Sequence, residues 1–206
     1  ARGMSRRRRG GSFGSLLQPF RPLLLGFSSR SDLGTLTAAE PGGEMLAPTG
    51  QSLFSGMYVN ELLARLLHRD EAHPALFSTY AATLEALAVD ADPAPVLRRF
   101  EFALLEELGY GVELALEAQR GAALDPQRVY RVDPQHGVTE AWEVRDGDAE
   151  LYRGAELLAI AGGEVDGPCR SAARRLARHL LAPHLGGEPL RSRQLFRRQA
   201  AGASRP

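Results

Sequence analysis

Three stretches hold residues whose types and spacing could do chemistry. Residues 10–14, GGSFG, have the G-x-S-x-G spacing of a serine hydrolase, a pattern that works on a sharp turn between a buried strand and a helix. Four consecutive arginines precede it here, so Ser12 is not expected to act as a nucleophile. Residues 68–73, HRDEAH, contain the HRD triplet of a kinase catalytic loop, but the downstream Asn, the Gly-rich loop and the DFG are missing. His68, Asp70, Glu71 and His73 could also be drawn as metal ligands. Their place in a helix-to-helix turn explains their polarity, and no metal is expected. No Gly-rich phosphate loop of the Walker type occurs. The expectation is a protein with no catalysis and no cofactor.

The third kind of chemistry is recognition of anions by arginine. All 25 basic residues are Arg, and their distribution is segregated. Residues 1–30 hold seven Arg and no acid, residues 31–167 hold nine Arg against 24 acids, and residues 168–206 hold nine Arg against one acid. The local balances are +7, −15 and +8 although the formal net charge is +0. Basic ends around an acidic middle suit a polyanion partner at the ends or, more plainly, solvated charge that keeps the chain dispersed. Arg2, Arg6, Arg7, Arg8 and Arg9 lie on a Gly/Ser-rich stretch and suit a phosphate-tracking arm. Arg170, Arg174 and Arg178, four apart, form one stripe of a helix and are a second DNA-contacting candidate. Arg98 and Arg99 stand near a helix start, where the dipole disfavours cations. They could hold an anionic peptide end beside an apolar groove or form a salt bridge within the bundle.

The elements that must position these residues are organised around residues 92–111. Asp92 reads as an N-cap, Pro93 as the first helical residue, and Gly109 and Gly111 as the stop. Val96, Leu97, Phe100, Leu104, Leu105 and Leu108 repeat at three- and four-residue steps and form a broad apolar face. Two earlier helices precede it. One is capped at Thr49 or Ser52, with Leu53, Met57, Tyr58, Leu62, Leu63, Leu66 and Leu67; the other runs over 75–88 with Leu76, Phe77, Tyr80, Leu84 and Leu87 inward. Short connections make them antiparallel neighbours in a small bundle.

Upstream, 23–27 and 33–38 read as strands, which cannot bury an apolar face alone. The chain opens without an initiator Met, which suggests further strands before it. Its basic start leads into no long apolar region, so no secretory signal is expected. Downstream, 112–165 reads as a small appended module with short strands at 129–132 and 138–144. Pro168 then opens a helix with Cys169, Ala172, Ala173, Leu176 and Leu180 on its apolar side, followed by a short basic helix carrying Leu195 and Phe196. Cys169 is the only cysteine, which excludes an internal disulfide and fits a reducing cytoplasm. No apolar run approaches the roughly 20 residues that span a bilayer.

Four ordered segments, LLQPFRPLLLGF, LFSGMYVNELLARLL, LRRFEFALLEELGYG and LGGEPLRSRQLFRR, resemble the RecO family of bacterial recombination mediators over nearly the whole chain. The resemblance implies an α+β architecture: a partial N-terminal OB-fold barrel (1–46) and a mainly α-helical C-terminal domain (47–206) with a small β insertion. It implies no catalysis. It also implies binding to single- and double-stranded DNA, annealing of complementary strands, and loading of RecA onto strands coated by single-strand binding protein, with RecR as partner, in the bacterial cytoplasm. Family members begin with further residues that form the first barrel strands, without which a five-stranded barrel cannot close. Some also carry a four-cysteine zinc module after the LGYG segment; the corresponding residues 112–132 here contain no cysteine, as in the zinc-free branch. By position, the arm arginines are the implied DNA contacts, and Arg98 matches an arginine associated with the acidic C-terminal tail of single-strand binding protein. Leu62, Phe102 and Leu105 are the candidates for the apolar side of that pocket. A helical adaptor with no DNA-binding role is the rival expectation.

Overall fold

The computed structural model describes residues 13–28, 34–69, 71–89, 92–142, 150–192 and 195, and the chain divides into two compact units, Ala1–Pro48 and Thr49–Pro206. In the first unit a turn at residues 19–20, with Phe20 at φ +61°, leads to β1 (Leu23–Ser28), which pairs antiparallel with β2 (Thr35–Pro41). The register slips between Gly26 and Phe27. A Cβ at Gly26 would stand 3.2 Å from Ala38 Cβ and from Thr37 Oγ1, so this glycine admits the close approach of β2 at the bulge. Leu24, Leu25 and Phe27 are exposed. Among the described residues two strands form this sheet and no barrel closes. The arm arginines Arg2, Arg6, Arg7, Arg8 and Arg9, together with Ser12, lie outside the described residues.

The second unit is built on three helices, α1 (Gly50–Leu66), α2 (Pro74–Val89) and α3 (Pro93–Glu107). Both ends of α3 are chemically defined. The Asp92 side chain accepts the Ala94 N–H at 3.1 Å, with Pro93 in the first turn. At the other end the Tyr110 N–H reaches Leu105 O, the Gly109 N–H reaches Glu106 O, and Gly109 has φ +75°. That is a Schellman stop, which needs a residue without a Cβ penalty in the left-handed region. The buried face of α3, Val96, Leu97, Phe100, Leu104 and Leu105, coincides with the apolar stripe in the sequence. On α2 the buried line is Leu76, Thr83, Leu84 and Leu87, and Phe77, expected inward, is exposed. At about 100° per residue, Phe77 lies about 100° from Leu76 and about 20° beyond Leu84, just past the edge of the buried arc.

Residues 112–165 are not an appendage. β3 (Val129–Asp133) is flanked by β4 (Gly137–Glu140) and β5 (Leu151–Arg153) in an antiparallel sheet of order β4-β3-β5. The β3–β4 turn is written by Asp133, whose carboxylate accepts the Gln135 and His136 N–H groups at 2.8 Å, and by Gly137 at φ +81°. Each strand presents only one or two apolar side chains inward, too little to stand alone. Tyr130, Val132, Val138 and Tyr152 therefore join one core with Leu62, Phe100, Leu104, Leu176 and Leu180. An eight-residue helix that the periodicity did not suggest, α4 (Gly154–Ala161), adds Leu157 and Ile160. After a 3-10 turn at Gly167–Cys169, α5 (Arg170–Leu181) buries Ala172, Ala173, Leu176 and Leu180 as expected. The basic helix expected after Pro189 falls mostly outside the described residues.

Tyr152 is fully buried, and its hydroxyl has no hydrogen-bond partner among the described residues. Burial pushes its pKa up to about 12, against the pull of Arg175, whose guanidinium lies 4.7 Å from the ring centroid. An unsatisfied buried hydroxyl costs about 1–3 kcal/mol. Tyr152→Phe keeps the ring and the cation–π contact, so thermal unfolding should show an unchanged or higher Tm; a Tm lowered by several degrees would mean the hydroxyl is satisfied.

Candidate functional site

A polar concavity of the second unit lies between the N-terminal halves of α1 and α3 and one face of α5. It has a volume of about 600 Å³ and is lined by Gln51, Ser55 and Tyr58 of α1, by Asp92, Pro93, Ala94, Leu97, Arg98 and Glu101 of and before α3, and by Arg170, Arg174 and Arg178 of α5. Helix N-termini carry partial positive charge from their unpaired N–H groups. Two of them and four arginines thus bias one cleft toward anions. Its floor is apolar and aromatic, from Pro93, Leu97 and the Tyr58 ring.

The four arginines differ in state. Arg174 and Arg178, four apart on α5, are exposed and have no hydrogen bond or ion pair among the described residues. Arg170 is engaged: its Nη2 donates to Asp92 Oδ1 at 2.9 Å, Nη1 donates to the other Asp92 oxygen, and Asp166 lies 3.2 Å from Nη1. The fork ties α5 to the capping residue of α3 at the cleft mouth. Arg98 is held from below. Its Nη2 donates to Glu101 Oε1 at 2.7 Å, and the Tyr58 hydroxyl donates to the same oxygen at 2.6 Å. Glu101 is 1% exposed and Arg98 14%.

The sequence separated Arg98 from Arg170, Arg174 and Arg178 and gave them different partners; the fold brings all four to one cleft. The other candidates lie elsewhere. Arg99 is exposed and does not line it. Leu62 of α1 and Leu105 of α3 are buried in the core, and Phe102 of α3 packs against that core, so these three side chains serve the bundle rather than the cleft. Glu101, Tyr58, Ser55 and Gln51 were missed. A signal for Glu101 existed: it stands four residues after Leu97 and three before Leu104, so a carboxylate sits on the buried face. Among the described residues no group of three or more His, Cys, Asp or Glu side chains could hold a metal ion. His73 instead approaches Glu107 at 3.3 Å and Glu71 at 3.6 Å. Also among the described residues, no helix is long and apolar enough to cross a membrane.

Two carboxylates make the unit acid-sensitive. The hydrogen bond from Arg170 and then the Ala94 N–H hold Asp92 below its ordinary pKa. For Glu61, burial acts upward but is outweighed by hydrogen bonds from Ser192 and Arg191 and by the Arg65 charge, so its pKa is also lowered. A group whose folded pKa is depressed contributes stability that is complete above its unfolded value and is lost as pH falls through the folded one. Chemical denaturation should therefore show stability falling below about pH 4, with a shallower fall in Asp92→Asn. Equal slopes would assign the acid sensitivity to other groups.

Residues 48–194, which cover nearly all of this α+β unit, match the family described as "Recombination protein O C terminal". The chain is 48% identical over 187 residues to the DNA repair protein RecO of Stutzerimonas stutzeri, covering 90% of this chain and 78% of that protein. It is 44% identical over 204 residues to the DNA repair protein RecO of Pectobacterium atrosepticum, covering 97% and 82%. For the namesake protein of Methylococcus capsulatus the identity is 41%, covering 96% and 79%. The chain belongs to the RecO family.

Proposed function

We propose that this chain is a recombination mediator in DNA repair that works by binding alone, and that its arginine-lined cleft receives the acidic C-terminal tail of single-strand binding protein. In this reading the protein binds single- and double-stranded DNA, anneals complementary strands and, with RecR, helps load RecA onto coated strands. The observation that carries the cleft assignment is its mixed lining: an apolar floor of Leu97, Pro93 and Tyr58 beneath two cations, Arg174 and Arg178, that have no ion pair among the described residues. A short acidic and apolar peptide needs both surfaces. About 600 Å³ holds a few residues of such a peptide and is far too small for a duplex. DNA is assigned to the arm arginines Arg2, Arg6, Arg7, Arg8 and Arg9.

A second reading has its own observation. Arg174 and Arg178 are exposed and one turn apart, a spacing at which they could meet phosphates instead. The experiment titrates a fluorescent peptide copying the acidic tail against the chain and against Arg174→Ala/Arg178→Ala. Loss of two charge-assisted contacts should weaken the peptide by at least about tenfold, about 1.4 kcal/mol. If peptide binding is unchanged while DNA affinity and its salt slope fall, the phosphate reading replaces the first.

A further inference from the structure

A carboxylate under an anion-attracting cleft runs against the cleft's purpose unless it serves a cation. Glu101 is such a carboxylate. It lies under the cleft on α3, 1% exposed, one helical step behind Arg98. Burying a charge is costly unless it is paired and hydrogen-bonded. Glu101 meets that requirement at one oxygen, Oε1, which accepts from Arg98 Nη2 of its own helix and from the Tyr58 hydroxyl of α1, while Oε2 is buried with no hydrogen-bond partner among the described residues. Arginine carries five N–H donors in a rigid fork. Using one edge on Glu101 fixes the plane of that fork and leaves donors on Nη1 for a ligand. Arg98 Nε is buried with no hydrogen-bond partner among the described residues, and the side chain is only 14% exposed, so packing confines it together with Glu101. Free arginine side chains lose much rotamer entropy on binding, and a guanidinium already oriented at the cleft floor avoids most of it.

Resting on the proposed reading of the cleft as the acidic-tail site, we infer that Glu101, braced by Tyr58, is a positioning residue that presets Arg98 for the incoming carboxylate. Glu101 does not touch the ligand, and Tyr58 meets it only through the ring that floors the cleft, its hydroxyl donating to Glu101. The contrast within the cleft supports this: Arg174 and Arg178 have no such brace and lie at the rim, where long-range attraction needs no fixed geometry.

The test uses the full chain and two readouts. The first is the side-chain Nε–H resonance of Arg98, assigned by its disappearance in Arg98→Ala. It should be sharp and ordered in the parent protein and in Glu101→Gln, which keeps an acceptor, and mobile in Glu101→Leu, which removes it. Tyr58→Phe should give partial mobility and serves if Glu101→Leu does not fold. An Arg98 signal equally ordered in all of them overturns the inference. The second readout is affinity for the fluorescent acidic-tail peptide in a double-mutant cycle. Glu101→Leu should weaken the peptide on the order of tenfold when Arg98 is present and have no effect when position 98 is Ala. An equal loss in both backgrounds means that Glu101 merely supports the fold, and also overturns it. If Arg98 becomes mobile as expected but Arg98→Ala binds the peptide as well as the parent, the positioning stands and the tail reading of the cleft fails.

Discussion

Gly154→Ala should destabilise the protein more than any other single-methyl addition in the described chain. A Cβ at this position would stand 2.0 Å from the Asp125 carbonyl oxygen and 2.8 Å from its carbon, and both neighbours are backbone, which cannot swing aside as a side chain would. Gly154 begins α4 directly after β5, and its N–H donates to Arg128 O at 2.9 Å, so the strand-to-helix step would have to move with it. Overpacking in a tight core costs about 1–3 kcal/mol and occasionally more; a backbone clash this close belongs at or above the upper end. Equilibrium denaturation should show a midpoint shifted well down, with a loss that Gly162→Ala, whose nearest contact is 3.3 Å, does not reproduce. A variant within 0.5 kcal/mol of the parent, the range of ordinary surface changes, would mean that the 125–128 loop gives way freely.

The second large effect comes from Arg98→Ala. It removes the guanidinium that pairs with Glu101 at 2.7 Å, leaving a buried carboxylate with the Tyr58 hydroxyl beside it. Removing one partner of a buried pair costs about 3–5 kcal/mol. The double variant Arg98→Ala/Glu101→Leu should recover most of that loss, because an apolar residue of similar size ends the charge burial. Thermal unfolding of the four proteins in the cycle measures this. If the double variant is as unstable as Arg98→Ala, the loss arises from packing of the arginine stem rather than from the stranded charge. It follows that affinities in the Arg98→Ala background are to be read under conditions where its unfolding curve shows it folded, whereas Arg174 and Arg178, with no hydrogen bond or ion pair among the described residues, need no such check.

Much of the helical unit was legible because its signals are local. Asp92, Pro93 and Gly109 bound α3 as their capping chemistry dictates, and the Cys169 to Leu180 stripe predicts the buried face of α5. Asp133 and Gly137 mark their turn for the same reason. The failures are tertiary. α4 is only eight residues long and so apolar that no periodic contrast shows. The strands of 112–165 looked detachable because a strand's pattern says that one face is buried, not against what; here it is the face of the same core that holds Phe100 and Leu176.

The site shows the same division. The oddity of cations at the start of α3 was visible, as was the stripe on α5. That they form one cleft depends on α3 and α5 packing side by side, held at the mouth by the Asp92–Arg170 fork across 78 residues of chain. Sequence spacing is silent on a pair that distant. It also could not tell that Arg170 faces an internal carboxylate while Arg174 and Arg178 do not, although all three share one stripe. Tyr58 reads as one more apolar residue of α1 until its hydroxyl is seen on Glu101.

The central claim is that an acidic tail docks between α1, α3 and α5. The most direct measurement is a backbone amide NMR titration of the full chain with the acidic-tail peptide of single-strand binding protein. Shifts concentrated at 51–58, 92–101 and 170–178 are the expected result. Shifts confined to another concavity, lined by Ala75, Leu76, Thr79, Ala103, Glu106 and Glu107, to residues of the first unit, or to no residues at all would contradict it.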